Sequence, residues 1–143
     1  MVKINLGSGF RYLEGYINID KTNKFFKIDL ELDLELGKLP FDDNSVEIIE
    51  ATHILEHINN LIPLMNECYR ILEKKGIMHI QVPQGIGMVA DPTHVRLFSP
   101  LSFRYYCGYP YSEAYGITCQ FKVIKMIFEN NEDGGVLDVI LEK

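Results

Sequence analysis

The sequence predicts one open α/β sheet, mostly parallel, with an antiparallel hairpin at its C-terminal end and few helices around its first two strands. Three observations lead there. Short apolar runs end abruptly in glycine, acid or hydroxyl residues at Leu6-Gly7, Ile19-Asp20 and Ala51-Thr52. A single clear helical stripe, Leu61, Leu64, Met65, Cys68, Ile71 and Leu72, separates two such runs, as the crossover between parallel strands requires. The last two β-rich runs, Phe121 to Phe128 and Val136 to Leu141, are joined through Asn130 to Gly135, which predicts a hairpin with its bend at Gly134-Gly135.

Taken in order, Val2 to Leu6 reads as a buried strand running into the turn Gly7-Ser8-Gly9, where two glycines let the backbone bend sharply and approach a ligand. Tyr16 to Ile19 is the second strand and ends in Asp20. The short connection between the two leaves room for one or two helical turns at most, near Arg11 to Leu13, where a parallel crossover normally takes a dozen residues or more. Residues 27 to 36 alternate with period two and place Ile28, Leu30, Leu32, Leu34 and Leu36 on one face of an extended edge segment. Leu39 to Ser45 supplies turn chemistry, and Val46 to Ala51 is the fourth strand. The helix spans Leu61 to Lys74, with Asn60 as N-cap, Pro63 in its first turn and Lys74-Lys75-Gly76 as its stop. Ile77 to Val82 is a buried strand ended by Pro83. From Gln84 to Gln120 the chain is irregular and tyrosine-rich, the kind of long segment that carries function.

Composition narrows the function. The 143 residues are 47% hydrophobic, enough for one domain with its own core, residues 1–143. A net charge of −6 with scattered lysines and arginines argues against nucleic acid as a partner. The three cysteines are odd in number and lack metal-ligand spacing, so they read as reduced thiols of a cytoplasmic protein. No apolar run reaches the length of a membrane span and the N-terminus lacks a signal-peptide pattern.

In a Rossmann-like open sheet, ligands bind at the carboxyl ends of the strands. The glycine turn, Asp20 and Thr52-His53 all fall there, and an acid at the end of the second strand is placed to accept hydrogen bonds from a ribose diol. Read alone, Asp20 also suits a solvated turn.

Several pieces together resemble the class I S-adenosylmethionine-dependent methyltransferases. They are Asn5-Leu6-Gly7-Ser8-Gly9, Gly15-Tyr16-Ile17-Asn18-Ile19-Asp20, Asp33-Leu34, Leu39 to Ser45, His53-Ile54-Leu55-Glu56-His57, Glu67 to Leu72 with Gly76, and Val82-Pro83. The segment Asp91-Pro92-Thr93-His94-Val95-Arg96-Leu97-Phe98 resembles a signature of a subgroup of small bacterial, archaeal and phage-type members. The resemblance implies S-adenosyl-L-methionine as cofactor. Its methionine part is then expected over the turn of Asn5, Gly7, Ser8 and Gly9, its ribose on Asp20, and its adenine near Asp33 and Leu34, with Thr52 and His53 lining the pocket. Asn5 stands where the family usually has an acid, and Arg11 where the turn commonly has a third glycine. Because helices expected around the first strand are absent or vestigial, one sheet face is expected to expose apolar surface and to favour a homodimer.

Methyl transfer needs an aligned acceptor and, for a hydroxyl or amine, removal of a proton. His94 is the candidate base or acceptor-orienting group, with Asp91 to orient it; the same residues also suit a loop-stabilising Asx turn. Arg96 is a candidate for binding an acidic acceptor or pairing within the fold, and Tyr105 and Tyr106, with Tyr109, Tyr111 and Tyr115, for lining an acceptor cleft. The acceptor is expected to be a small polar molecule or a glycan. Two other readings remain: a catalytically weak module that binds the cofactor or a partner, and, remotely, a zinc hydrolase, since His53-x-x-Glu56-His57 has the H-x-x-E-H spacing. Against the hydrolase, the motif follows a strand, while such a site needs both histidines on a helix and a third ligand further on. No metal is expected.

Overall fold

The computed structural model describes residues 1–129 and 134–143. Seven strands form one sheet: β1 (Val2–Leu6), β2 (Ile17–Asp20), β3 (Leu30–Glu31), β4 (Val46–Thr52), β5 (Leu72–Pro83), β6 (Lys122–Glu129) and β7 (Val136–Glu142). Their order is β3-β2-β1-β4-β5-β7-β6. The first five run parallel, and β7 pairs antiparallel with both β5 and β6. This is a Rossmann-like sheet, mostly parallel and closed by the C-terminal antiparallel pair. The bend predicted over Asn130 to Gly135 falls largely outside the described residues. Among those described, no helix is long and apolar enough to cross a membrane.

Alternation along the central strands puts the fully buried apolar side chains on one face. Ile4 and Leu6 of β1, Ile49 and Ala51 of β4, Met78, Ile80 and Val82 of β5, and Leu137, Val139 and Leu141 of β7 are buried and in register. Onto that face packs α1 (Leu61–Ile71), which buries Leu61, Leu64, Met65, Cys68 and Ile71. The helix ends earlier than the stripe predicts. Leu72 already pairs with Val46 in β5, and residues between Leu72 and Ile77 bulge from the ladder before pairing resumes with Ile48. Lys75 takes the left-handed conformation there, with φ 68°, while Gly76 is required by crowding: a Cβ on it would stand 2.9 Å from the Glu73 carbonyl oxygen. Asn60 occupies the N-cap position, but its side chain donates to the Glu35 carbonyl instead of capping α1.

The opposite face is mixed, with the half-buried Ile48, Ile77 and Ile140 beside polar side chains. Glu50 of β4, His79 of β5 and Asp138 of β7 form a row across three strands, with His79 Nδ1 3.0 Å from Glu50 and Nε2 3.0 Å from Asp138. Gln81 also donates to Asp138, and Lys125 forms an ion pair with its other oxygen at 3.2 Å.

The alternating segment 27 to 36 forms strand only at Leu30–Glu31. Asp33 accepts a hydrogen bond from the Glu35 amide and starts a single 3-10 turn, Leu34–Leu36, which Gly37 closes at φ 62°. The leucine stripe therefore breaks, burying Leu34 and leaving Leu36 68% exposed. Further on, Arg70 ties the loop before β4 to α1. It donates to Glu67 through Nε and Nη2, to the Phe41 carbonyl at 2.8 Å and to Asp43, while Glu67 accepts from the Leu39 amide.

These contacts make acid stability predictable. Hydrogen bonds from Arg70 hold the Glu67 carboxyl below its usual range despite partial burial. Burial of Asp138 opposes ionisation, but hydrogen bonds from His79, Gln81 and Lys125 outweigh it and bring that carboxyl down to about 2. Carboxyls depressed in the fold stabilise it fully above their unfolded values, about 4, and lose that stabilisation as pH falls. Urea unfolding should therefore show stability falling between pH 4 and pH 2 on the order of the native and unfolded carboxyl values. Arg70→Met should cost about 1–2 kcal/mol at neutral pH, the partly exposed guanidinium being screened by water, and should shrink the acid-dependent part. An unchanged pH slope in that variant would contradict the assignment.

Candidate active site

The site grows from the turn after β1. Gly7 and Gly9 both lie at positive φ, 60° and 47°, and the Ser8 amide donates to the Ile19 carbonyl of β2 at 3.0 Å. The Gly9 amide donates to Asp20 Oδ2 at 2.9 Å and the Lys21 amide to Asp20 Oδ1 at 2.8 Å, so one carboxylate fastens the turn to the end of β2. No helix forms between β1 and β2. The connection is held instead by Asn18, whose buried side chain accepts from Asn5 Nδ2 and the Leu13 amide and donates to the carbonyls of Leu13 and Tyr16 and to Asp29. Asn5 also donates to the Arg11 carbonyl at 2.7 Å.

Beside this turn lies a cavity of about 480 Å³. Its walls are Gly7, Asp20 and Lys21 from the ends of β1 and β2, Leu32 to Glu35, Ile54 and His57 to Asn59 after β4, and Thr93 and Val95 from the irregular segment. The volume suits a small-molecule ligand, with apolar side chains for a flat ring and a carboxylate for hydroxyls. Of the residues expected to hold the cofactor, Gly7, Asp20, Asp33 and Leu34 line this cavity. Ser8 and Gly9 belong to the turn behind it, and the Ser8 hydroxyl is buried without a hydrogen-bond partner among the described residues. Asn5 is not on the wall: it is buried under the turn, where its amide supports the backbone. Thr52 is not on the wall either, and its hydroxyl meets the Arg11 guanidinium, which thereby fills the place of the family's third glycine with a cross-strand tether. His53 sits at φ 52°, half exposed, with Nδ1 3.4 Å from Glu56.

The segment 91 to 96 docks beside the cavity through Val95, whose amide donates to the Glu56 carbonyl. Asp91 and Arg96 take the structural tasks that the sequence also allowed. Asp91 Oδ1 accepts from the Thr93 amide and hydroxyl, at 2.8 and 2.7 Å, so its carboxylate is engaged in an Asx turn and is held below its ordinary pKa by those bonds. It stands 3.9 Å from His94 Nε2, and the ring is oriented instead by the Met88 carbonyl, 3.0 Å from Nδ1. Arg96 is spent on structure, donating to the carbonyls of Ile58 and Asn59, which binds its loop to the segment after β4. Tyr106 is core, only 6% exposed, and burial pushes its hydroxyl up to about 12. Tyr105 stacks at the surface against Tyr109, with ring centres 4.6 Å apart, outside the cavity wall.

Sequence reasoning missed Glu56. It is 1% exposed, and neither carboxylate oxygen has a hydrogen-bond partner among the described residues. Its signal was present in the H-x-x-E-H spacing, but that spacing points to a helical zinc site, whereas here residues 55–57 form a 3-10 turn after β4.

The model of a methyltransferase domain family matches residues 15–80, a little under half of the chain. No curated protein matches the sequence. Among solved structures, a SAM-dependent methyltransferase from Archaeoglobus fulgidus is similar over 99% of this chain and 85% of its own, at 16% identity and a TM-score of 0.76. One from Aquifex aeolicus matches over 99% and 81%, at 13% identity and a TM-score of 0.66. A SAM-dependent methyltransferase from Thermotoga maritima, described as a possible histamine N-methyltransferase, matches over 99% and 82%, at 13% identity and a TM-score of 0.63. At such identities the likeness is one of fold. The domain match and the shared fold together support a SAM-dependent methyltransferase, with S-adenosylmethionine as its cofactor.

Proposed function

We propose that this protein transfers a methyl group to a hydroxyl or amine of a small polar or glycan acceptor, and that it represents the small subgroup marked by the segment 91 to 98. The observation that carries this reading is that Thr93 and Val95, which flank His94, line the same cavity as Gly7 and Asp20. S-adenosylmethionine, when bound, supplies an electrophilic methyl group on a sulfonium. The turn Gly7-Ser8-Gly9, with its orphan hydroxyl, receives the amino-acid part; Asp20, which keeps free lone pairs beyond its two backbone bonds, accepts from the ribose hydroxyls; Asp33 and Leu34 with Ile54 and Ile58 enclose the adenine. Glycines at positive φ let the turn lie close under the ligand. His94 acts on the acceptor. Because its Nδ1 faces the Met88 carbonyl, which can only accept, Nδ1 is the donor there and Nε2 is the nitrogen left for the site.

Calorimetry with S-adenosylmethionine and turnover to S-adenosylhomocysteine against hydroxyl- and amine-bearing acceptors test the reading. Asp20→Asn should weaken cofactor binding by about 10–100-fold, the value of a hydrogen bond to a charged acceptor. His94→Ala should leave that affinity within about twofold while kcat falls by about 10²–10⁴. Full turnover in His94→Ala would remove His94 from the mechanism, and binding without turnover on any acceptor would favour the binding module.

A further inference from the structure

We propose that Glu56, His57 and His94 form a binding site for a divalent first-row transition ion at the edge of the cofactor cavity. One ligand atom from each lies within 4.8 Å of the others, on two separate pieces of chain: the 3-10 turn after β4 for Glu56 and His57, and the docked segment for His94. Donors around a tetrahedral ion with bonds of 2.0–2.2 Å stand roughly 3.4 Å apart, so the cluster needs only a modest contraction to close on one.

Proton accounting favours an ion over a simple ion pair. The Met88 carbonyl fixes the His94 proton on Nδ1. Thr93 gives its hydroxyl proton to Asp91, a carboxylate, so at 3.0 Å the Thr93 oxygen must accept from His57 Nδ1. In both rings Nδ1 is therefore the donor, and Nε2 is the nitrogen left to bind an ion. Ligating histidines characteristically donate their other N–H to a carbonyl, a carboxylate or a group leading to one, and here both do. The third member is a carboxylate buried almost completely with neither oxygen hydrogen-bonded. Its contacts with His53 Nδ1 at 3.4 Å and His94 Nε2 at 4.0 Å are too long or misaligned to satisfy it. A buried carboxylate without donors is costly, and a cation removes that cost. The contrast with His79 is instructive, since both its ring nitrogens are used by Glu50 and Asp138 and no donor is left over.

Two imidazoles and one carboxylate suit zinc, manganese or ferrous iron, and leave coordination positions open. His57 and Thr93 line the cavity, so these positions face the proposed acceptor. Resting on the methyl-transfer reading above, the inference narrows the acceptor to one with two adjacent oxygen donors, such as a vicinal diol. Held by both oxygens, one hydroxyl loses its proton to solvent more readily; that oxygen forms the new bond to the methyl carbon as the sulfonium bond breaks, leaving the neutral thioether. Asp91 and Thr93 are then positioning residues for His57, and His94, its Nε2 taken by the ion, serves the acceptor through the metal and not by removing its proton.

Equilibrium dialysis of the full chain against Zn²⁺ or Mn²⁺, with metal content read by mass spectrometry and Co²⁺ as a spectroscopic probe, tests the site without cofactor. The expected result is one ion per chain and a Co²⁺ visible band, both lost at least tenfold in affinity in Glu56→Gln and His94→Asn and kept in His79→Gln. If Glu56→Gln fails to fold, His57→Asn and His94→Asn carry the comparison. No ion bound at 100-fold molar excess, or binding indifferent to these substitutions, would overturn the site. Cofactor binding is measured separately: an ion without cofactor affinity would overturn the methyl-transfer reading and the diol acceptor but support the site, and cofactor affinity without an ion would overturn the site alone.

Discussion

Gly7→Ala is expected to cost about 2–5 kcal/mol of stability and to take cofactor affinity below measurement. Two terms add. A side chain at φ 60° carries roughly 1–2 kcal/mol of strain. The new Cβ would also stand 2.3 Å from Ile54 Cγ1 and 2.7 Å from Ile54 Cβ, an overlap that cannot be relieved by swinging a flexible tip, and overpacking of that kind costs about 1–3 kcal/mol. Ile54 is itself on the cavity wall, so its displacement narrows the volume the adenosyl group needs. Gly9→Ala is the control. It has positive φ too, but its Cβ would meet nothing within 4 Å, so only strain applies and affinity should fall less than tenfold. Denaturant unfolding and calorimetry on both variants check this, and equal losses would show that the close approach to Ile54 is not what the first glycine serves.

Where local chemistry and global fold agree, the sequence is legible. β1 and the ends of β2 and β4 stand where apolar runs meet Gly7, Asp20 and Thr52, because burial on one side and a turn residue after it leave the chain few alternatives. Four of the expected cofactor residues, Gly7, Asp20, Asp33 and Leu34, meet at one cavity for the same reason: parallel strands bring their carboxyl ends together. Side chains whose work is set by distant partners were not legible. Arg96 looks like an anion binder until Ile58 and Asn59, 38 and 37 residues away, offer their carbonyls. Tyr106 looks like a cleft residue until the sheet buries it. Asp91 beside His94 suggests a dyad, but the nearer donors of Thr93 capture the carboxylate first. The alternating leucines suggest a long strand, but an edge strand gains hydrogen bonds on one side only, and Asp33 offers its backbone a turn instead.

The absent helix between β1 and β2 makes Asn18→Ala the variant with the largest expected loss of stability, about 3–5 kcal/mol. A parallel crossover usually satisfies its backbone within a helix; here residues 7–16 are irregular, and their polar groups must be paired some other way. Asn18, with 0% exposure, uses both ends of its amide, Oδ1 for Asn5 and the Leu13 amide, and Nδ2 for Leu13, Tyr16 and Asp29. Alanine would leave several of these groups without partners where water cannot easily replace the amide, at about 1–3 kcal/mol for each one truly orphaned. Asn5 and Asn18 are register partners on adjacent strands, so Asn5→Ala removes part of the same network and the two losses should be less than additive. The turn Gly7-Ser8-Gly9 opens this connection, which predicts that Asn18→Ala weakens cofactor binding although Asn18 touches no part of the cavity wall. Urea unfolding with an unchanged m-value would report the stability loss, and calorimetry the affinity loss. A variant as stable as the parent would mean that water or a shifted backbone satisfies the connection, and that the asparagine pair is not what replaces the helix.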